Sequence, residues 1–455
     1  MKNIYLTSYS VKGIKTLDKT VSLSFYKKTI TKDLDTQAYN VKGIYGMNGS
    51  GKSGIVTSVE ILRNMFLDSG YLNDSITQKN LDAIINKKVG ELTIKTEFIC
   101  KIGEGLYLFH YIVTISKNTT GKFVIVEEQL KVKKATSKGD RFLTIFAVKD
   151  GEIISLYTEE KQGLANDIKN KTMNLLSATP MAVIYRDKMV NFVKKEVMLH
   201  RISVQENFLA ISLAMLAFLP TNLYVYLDQA DYHRRYFLNK AIVEGKDDIP
   251  SFDFLPDRSY INLEVLSVSE NYVIKNNYNK FVKTIKKLYE FLHIFKPDLQ
   301  EIEIDRKEDH ECYVCDLIMV YDSYKIHAEF ESTGIKKLIK LFAFIREMVR
   351  GGIVFIDEFD SNLHDVYLCA LLEYLMEYGK GQLCFTTHNV GPMDVLKQHK
   401  KSIDFLSEDH QIYPWKTNGN YSPSKLYRNG MIEGSPFNVD SIDFIGVFGM
   451  GEEDE

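Results

Sequence analysis

Proline and cysteine are scarce in this chain, and it has no long apolar run. Only 9 of its 455 residues are proline, roughly 2% against an average near 5%, which excludes collagen-like and proline-rich linker architectures. The five cysteines, Cys100, Cys312, Cys315, Cys369 and Cys384, are odd in number and scattered. No disulfide framework is expected from them, and a reducing cytosol suits them; the N-terminus carries no signal-peptide pattern. The most apolar stretch, 208–219, contains Ser212 and stops at Pro220, whereas a membrane span needs about 20 residues; it predicts a buried helix. Charge of one sign is not in excess either. With 57 basic and 60 acidic residues the net charge is -3, so any nucleic acid must be held by a local patch. What is present is ordinary globular material, 45% hydrophobic and 26% charged, long enough for about three domain-sized units.

Residues 3–9, 21–26 and 40–45 read as strands, the last running into a glycine-rich turn. After it Ile55, Val59, Leu62 and Phe66 fall at helical spacing, the stripe of a helix packed on a sheet. From 91 to about 150 the pattern is antiparallel β. Residues 155–300 are mostly helical in period, interrupted by a strand-like 224–227 and a loop at 247–257. From 312 onward strand, helix, strand, helix and strand alternate (312–320, 334–349, 353–356, 365–377, 382–386), as in a parallel sheet; Asn418-Gly419 suggests a hairpin turn.

Two motifs carry chemistry. Gly46-Met47-Asn48-Gly49-Ser50-Gly51-Lys52-Ser53 has the spacing G-x-x-x-x-G-K-[ST], between a strand and a helix as that motif requires. Backbone amides of such a loop curl around phosphates, the helix N-terminus adds its positive end, Lys52 can reach β- and γ-phosphates, and the Ser53 hydroxyl can ligate Mg²⁺. The second is the apolar run 353–356 ending in Asp357-Glu358. A buried parallel strand would deliver Asp357 to the phosphate edge as a Mg²⁺ ligand and Glu358 as the base for an attacking water. Together they point to a nucleoside triphosphatase. The 305 residues between positions 52 and 357 far exceed the ~30 that one βαβ unit needs, so a large segment is inserted. Three further runs belong with these motifs: Glu331-Ser332-Thr333-Gly334 opening a helix, Asp360-Ser361-Asn362-Leu363-His364, and Thr386-Thr387-His388 at the tip of a strand.

These runs together resemble the RecF and SMC-type ABC ATPases, and among them the bacterial ATPases related to the overcoming-lysogenization-defect proteins. The resemblance spans roughly 1–135 and 305–450. It implies an α/β fold, an ABC-type P-loop ATPase head with an antiparallel β lobe and an inserted helical lobe. The division would be 1–150 (P-loop and β lobe), 151–304 (inserted lobe) and 305–455 (signature, acidic strand and switch histidine). It also implies that Gly46, Asn48, Gly49, Ser50, Gly51, Lys52 and Ser53 bind ATP, that Ser53 and Asp357 hold Mg²⁺, that Glu358 is the general base and that His388 senses the γ-phosphate. Ser332 and Gly334 would act in trans across a homodimer or higher homo-oligomer. Lys12 falls where such heads carry a basic residue near the phosphates, and Gln129 is the choice for the glutamine between the lobes. The family further implies a cytoplasmic sensor or scaffold subunit of an antiphage system, comparable with the ATPase subunits of PARIS or Septu, controlling a separate nuclease-like effector. The alternative is a RecF-like DNA-repair ATPase; a transporter subunit is disfavoured by the 305-residue separation.

Other features read as structural. Cys312-x-x-Cys315 lacks a second pair, and residues three apart on a strand face opposite ways. Ser137–Asp140 follows four residues rich in lysine and not a buried strand, so ATP is favoured over GTP. Lys275, Lys280, Lys283, Lys286 and Lys287 line a helix whose apolar face is Phe281, Ile285, Leu288, Leu292 and Phe295, a face that could grip phosphates or simply be solvated. His233-Arg234-Arg235 and Lys194-Lys195 are comparable patches, and the acidic end 452–455 reads as a solvated tail.

Overall fold

A computed structural model of the chain describes residues 4–31, 34–102, 105–136, 141–157, 168–170, 175–185, 208–227, 266–309, 312–416 and 421–435. The patches at 194–195 and 233–235, the turns at 137–140 and 418–419, the loop at 247–257 and the acidic tail lie outside the described residues.

The strands in chain order are β1 (Ile4–Lys12), β2 (Val21–Ser24), β3 (Val41–Gly46), β4 (Glu91–Ile102), β5 (Gly105–Lys117), β6 (Phe123–Lys134), β7 (Leu143–Lys149), β8 (Glu152–Leu156), β9 (Leu223–Tyr226), β10 (Asn271–Ile274), β11 (Glu301–Asp309), β12 (Cys312–Val320), β13 (Lys325–His327), β14 (Ile353–Ile356), β15 (Gln382–Thr386), β16 (Ile403–Leu406) and β17 (Ile412–Pro414). Among the described residues they form three sheets. One is antiparallel, in the order β2-β1-β4-β5-β6-β7-β8. The second, β17-β16-β3-β15-β14-β9, is parallel except for the edge strand β17. The third is small, β10-β12-β11 with β13 beside β12.

Alternation along the parallel strands explains how both faces of the second sheet are covered. Ile353 and Phe355 point to one side, with Cys384, where they meet the helices Lys52–Leu67 and Phe208–Phe218 and the inner face of the antiparallel sheet. Val354, Ile356, Leu383 and Phe385 point to the other, against the helices Thr333–Arg350 and Asp365–Tyr378. A parallel sheet buried on both faces reads as unbroken apolar runs, as 353–356 does. The helix Phe208–Phe218 is apolar all round and buried from Leu209 to Phe218, as such a composition requires. Among the described residues no helix is long and apolar enough to cross a membrane.

Where the sequence suggests one helical insertion at 151–304, the described residues of that span join all three sheets: β8, β9 and β10 each belong to a different one. The helix Tyr278–Phe295 packs on the small sheet through Ile285, Leu288 and Leu292, and the first half of the helix Thr333–Arg350 joins the same core. Strand patterning at 224–227 is visible in sequence, but the pairing of β9 with β14 is non-local and carries no local signal.

Inside the antiparallel sheet, Glu128 is wholly buried and accepts from the Tyr111 hydroxyl and the Met181 N–H, each at 2.9 Å. Burial pushes its pKa from 4.5 up to about 7, against the pull of those two donors. Between those two values the folded chain holds a proton that the unfolded chain has released, so stability falls as pH rises through that window. From pH 5 to pH 8 the wild type should lose roughly 2–3 kcal/mol more than Glu128→Gln. Chemical denaturation at both pH values measures this, and an equal pH dependence in the two proteins refutes it.

Candidate functional site

The carboxyl ends of the parallel strands, where open α/β sheets bind their ligands, bring the two sequence motifs to one edge. β15 lies between β3 and β14, with Thr386 opposite Ile44 and Ile356 opposite Phe385. Strands in a sheet are ~4.8 Å apart, so the loop after β3 and the carboxylates after β14 stand two strands apart across Thr386-Thr387-His388.

The loop 46–51 turns directly into the helix Lys52–Leu67, whose N-cap is Gly51 in the left-handed region, φ 103°. A side chain there would be strained, and its Cβ would come within 2.4 Å of Leu17 Cδ2. Leu17 belongs to the turn between β1 and β2, which also holds the loop through Thr16 Oγ1 donating to the Gly49 carbonyl at 3.2 Å. The Lys52 side chain curls back over the loop and donates to the carbonyls of Gly46 (2.7 Å) and Met47 (2.9 Å). Burial pulls the Lys52 pKa down to about 8, against the opposing fields of Asp357, Glu358 and Asp360. Ser50 Oγ is buried without a hydrogen-bond partner among the described residues, and the first amides of a helix have no intrahelical acceptor. Orphan donors and a buried ammonium around one concave loop fit a phosphate chain.

Thr386 organises the acidic edge. Its Oγ1 donates to Asp357 Oδ1 at 2.5 Å and accepts from the Glu358 N–H at 2.8 Å. Asp357 is buried, and its own N–H donates to the Tyr226 carbonyl of β9 at 2.9 Å. Glu358 is exposed and has φ 49°, a left-handed conformation that costs a non-glycine residue roughly 1–2 kcal/mol and marks a site held by its surroundings. His388, exposed at the tip of β15, has its pKa lowered by burial of the ring and then by Lys52, with Asp360 and Asp357 opposing. Lys52, Asp357, Asp360 and His388 thus share one electrostatic neighbourhood. Among the described residues no cluster of three or more His, Cys, Asp or Glu is suited to a metal. Mg²⁺ characteristically takes one or two protein ligands and fills its shell with phosphate and water, a pattern that Ser53 and Asp357 fit.

The turn at 331–334 is built differently. Ser332 is exposed and caps its helix, its Oγ accepting from the Ile335 N–H at 3.3 Å. Glu331 is held by the Tyr321 hydroxyl (2.5 Å) and by the Ser332 N–H (3.2 Å). Gly334 is required by packing: a Cβ there would lie 2.6 Å from the Asn362 carbonyl oxygen. Thr333 Oγ1 reaches Asn362 Oδ1 at 3.3 Å. His364 caps the following helix, accepting from the Val366 N–H.

The structure also gives the surroundings of two further residues considered in the sequence. Lys12 pairs with Glu91 at 3.6 Å, and a second cation besides Lys52 that feels the Asp357 charge is Lys15, with φ 48° in the turn before Leu17. Burial lowers the Lys15 pKa and Asp357 opposes that shift. Gln129 stands in the body of β6 between Ile112 and Ala147, not on a loop at the parallel edge. Lys15 is a candidate that sequence reasoning missed, and Thr386, named there only as part of the Thr386-Thr387-His388 run, was given no role of its own. A lysine in a turn carries no local mark, and the contact of Thr386 with Asp357 is between separate strands. Cys312 and Cys315 are both buried on β12 as free thiols.

No family model matches the chain, and no curated protein matches it. Among solved structures it is similar to one described as the recombination mediator protein RecF-ATPrS in the RecFOR pathway. The TM-score is 0.38 and the identity 12%, over 91% of this chain and 99% of that one. At that level the likeness transfers neither activity nor ligand.

Proposed function

We propose that this chain is an ABC-type ATPase head of the RecF/SMC kind, binding ATP and Mg²⁺ at the carboxyl edge of its parallel sheet. The observation that carries this reading is the convergence of the 46–53 loop with Asp357 and His388, reached from opposite ends of the sequence. Lys52 and the loop amides would hold the triphosphate, with Lys15 adding positive charge beside Asp357. Ser53 and Asp357 would ligate Mg²⁺, which when bound neutralises charge on the phosphate oxygens. Glu358 would take a proton from the attacking water, and His388 would hydrogen-bond the γ-phosphate. The boundaries 1–150, 151–304 and 305–455 remain the proposed division of the chain, with β9 contributed to the head from the middle span.

The exposed Ser332, with Phe330 beside it 73% exposed, supports a homodimer in which this turn meets the nucleotide of a second copy. The finer role we propose is that of a sensor or scaffold subunit in an antiphage system, ATP favouring the assembly state that restrains a separate effector. A DNA-binding reading has its own support in the exposed Lys280, Lys283, Lys286 and Lys287 on the helix Tyr278–Phe295.

Mixing chains tests the dimeric site. Lys52→Ala and Ser332→Arg should each be inactive alone, and together they should recover roughly a quarter of wild-type hydrolysis, because half the dimers then carry one intact composite site. No recovery, with both variants folded, would exclude the trans assignment. DNA affinity of the pure protein falling steeply between 50 and 200 mM salt would favour the second reading.

A further inference from the structure

The helix Thr333–Arg350 touches the catalytic edge through a buried cation that neither motif contains. Lys337, one turn into that helix, is 3% exposed. Its ammonium donates to the backbone carbonyl of Glu358 and to Ser361 Oγ, and it lies 6.0 Å from the centre of the Tyr226 ring. The Glu358 carbonyl also accepts from the Ser361 N–H at 3.1 Å, while the Glu358 N–H is held by Thr386.

We propose that Lys337 is a positioning residue that holds the Glu358 peptide in its left-handed conformation and so aims the carboxylate at the reacting water. This rests on the ATPase reading above. A left-handed non-glycine residue reverts unless its neighbours fix both peptide groups around it. Here Thr386 fixes the amide side, and Lys337 with Ser361 fixes the carbonyl side. A charge-assisted contact to a carbonyl is about twice as strong as a neutral one, so Lys337 is the stronger of the two carbonyl partners. Gly334, in the first turn of the same helix, has its backbone against the Asn362 carbonyl. A ligand that shifts the exposed Ser332 turn would therefore move Lys337 and, with it, Glu358 of the same chain.

Steady-state ATP hydrolysis and equilibrium binding of a fluorescent ATP analogue, on the full chain, test this. Lys337→Met should lower kcat on the order of 100-fold, the cost of a misplacement near 1 Å, with KM and analogue affinity within about threefold of wild type. In the Glu358→Gln background the same substitution should lower the rate no further, because its effect passes through that carboxylate. Lys337→Arg, which keeps charge and donors, should recover part of the loss. A wild-type kcat in Lys337→Met, or an equal loss in both backgrounds, overturns the proposal. If Lys337→Met does not fold, Ser361→Ala is judged by the same kcat criterion, with a several-fold loss expected and none overturning it. A wild-type protein that does not hydrolyse ATP, or whose rate is indifferent to Glu358→Gln, refutes the ATPase reading itself, a result distinguishable from failure of Lys337 alone.

Discussion

Lys52→Ala should abolish ATP binding, weakening affinity by at least about 100-fold. Two hydrogen bonds from an ammonium to phosphate oxygens contribute roughly 1.5–3 kcal/mol each, and no other side chain of the loop is charged. The Lys52 ammonium is buried and, among the described residues, donates to two loop carbonyls, so it is already in place to exchange those acceptors for phosphate. Titration with a fluorescent ATP analogue measures the effect, and thermal unfolding of the variant separates lost contacts from a lost fold. Affinity within threefold of wild type, in a folded variant, would remove the loop from the nucleotide site.

Glu358→Gln should behave in the opposite way. The amide keeps the shape of the side chain and, with Thr386 and Lys337 untouched, the backbone hydrogen bonds at 358 survive. ATP affinity is therefore expected to stay within a few-fold of wild type, while hydrolysis falls by roughly 10²–10⁴, the usual worth of a general base. With ATP arrested in the site, size-exclusion chromatography should show a dimer that persists in the variant and is transient in the wild type. Hydrolysis at the normal rate would mean that another group takes the proton, Asp360 being the next carboxylate in the Lys52 neighbourhood.

The loop at 46–53 and the acidic strand at 353–358 were readable because their chemistry is contiguous. A glycine pattern dictates a tight turn at a helix start, and an unbroken apolar run before two carboxylates dictates a buried strand with a charged tip. The apolar stripe Ile55, Val59, Leu62 and Phe66 was equally readable, and all four residues are buried in the core. Lys15 was not. It lies in a short turn whose importance depends on Leu17 packing against Gly51, a contact between separate elements. Gln129 shows the reverse: order along the chain suggests it as a glutamine between two lobes, whereas the residue stands in the middle of a sheet.

By itself, then, the sequence determined a glycine-rich loop between a strand and a helix and an apolar strand ending in two carboxylates, since each depends on neighbours within about ten residues, and the count of residues between them showed that a large segment intervenes. Only the tertiary structure decided that β9 (Leu223–Tyr226) completes the parallel sheet beside β14, that Thr386 joins Asp357 to Glu358, and that Lys337 reaches from one helix to the Glu358 carbonyl. Those are pairings between distant parts of the chain. Their energy comes from burial and hydrogen bonds that exist only once the sheets have closed, so no local pattern encodes them.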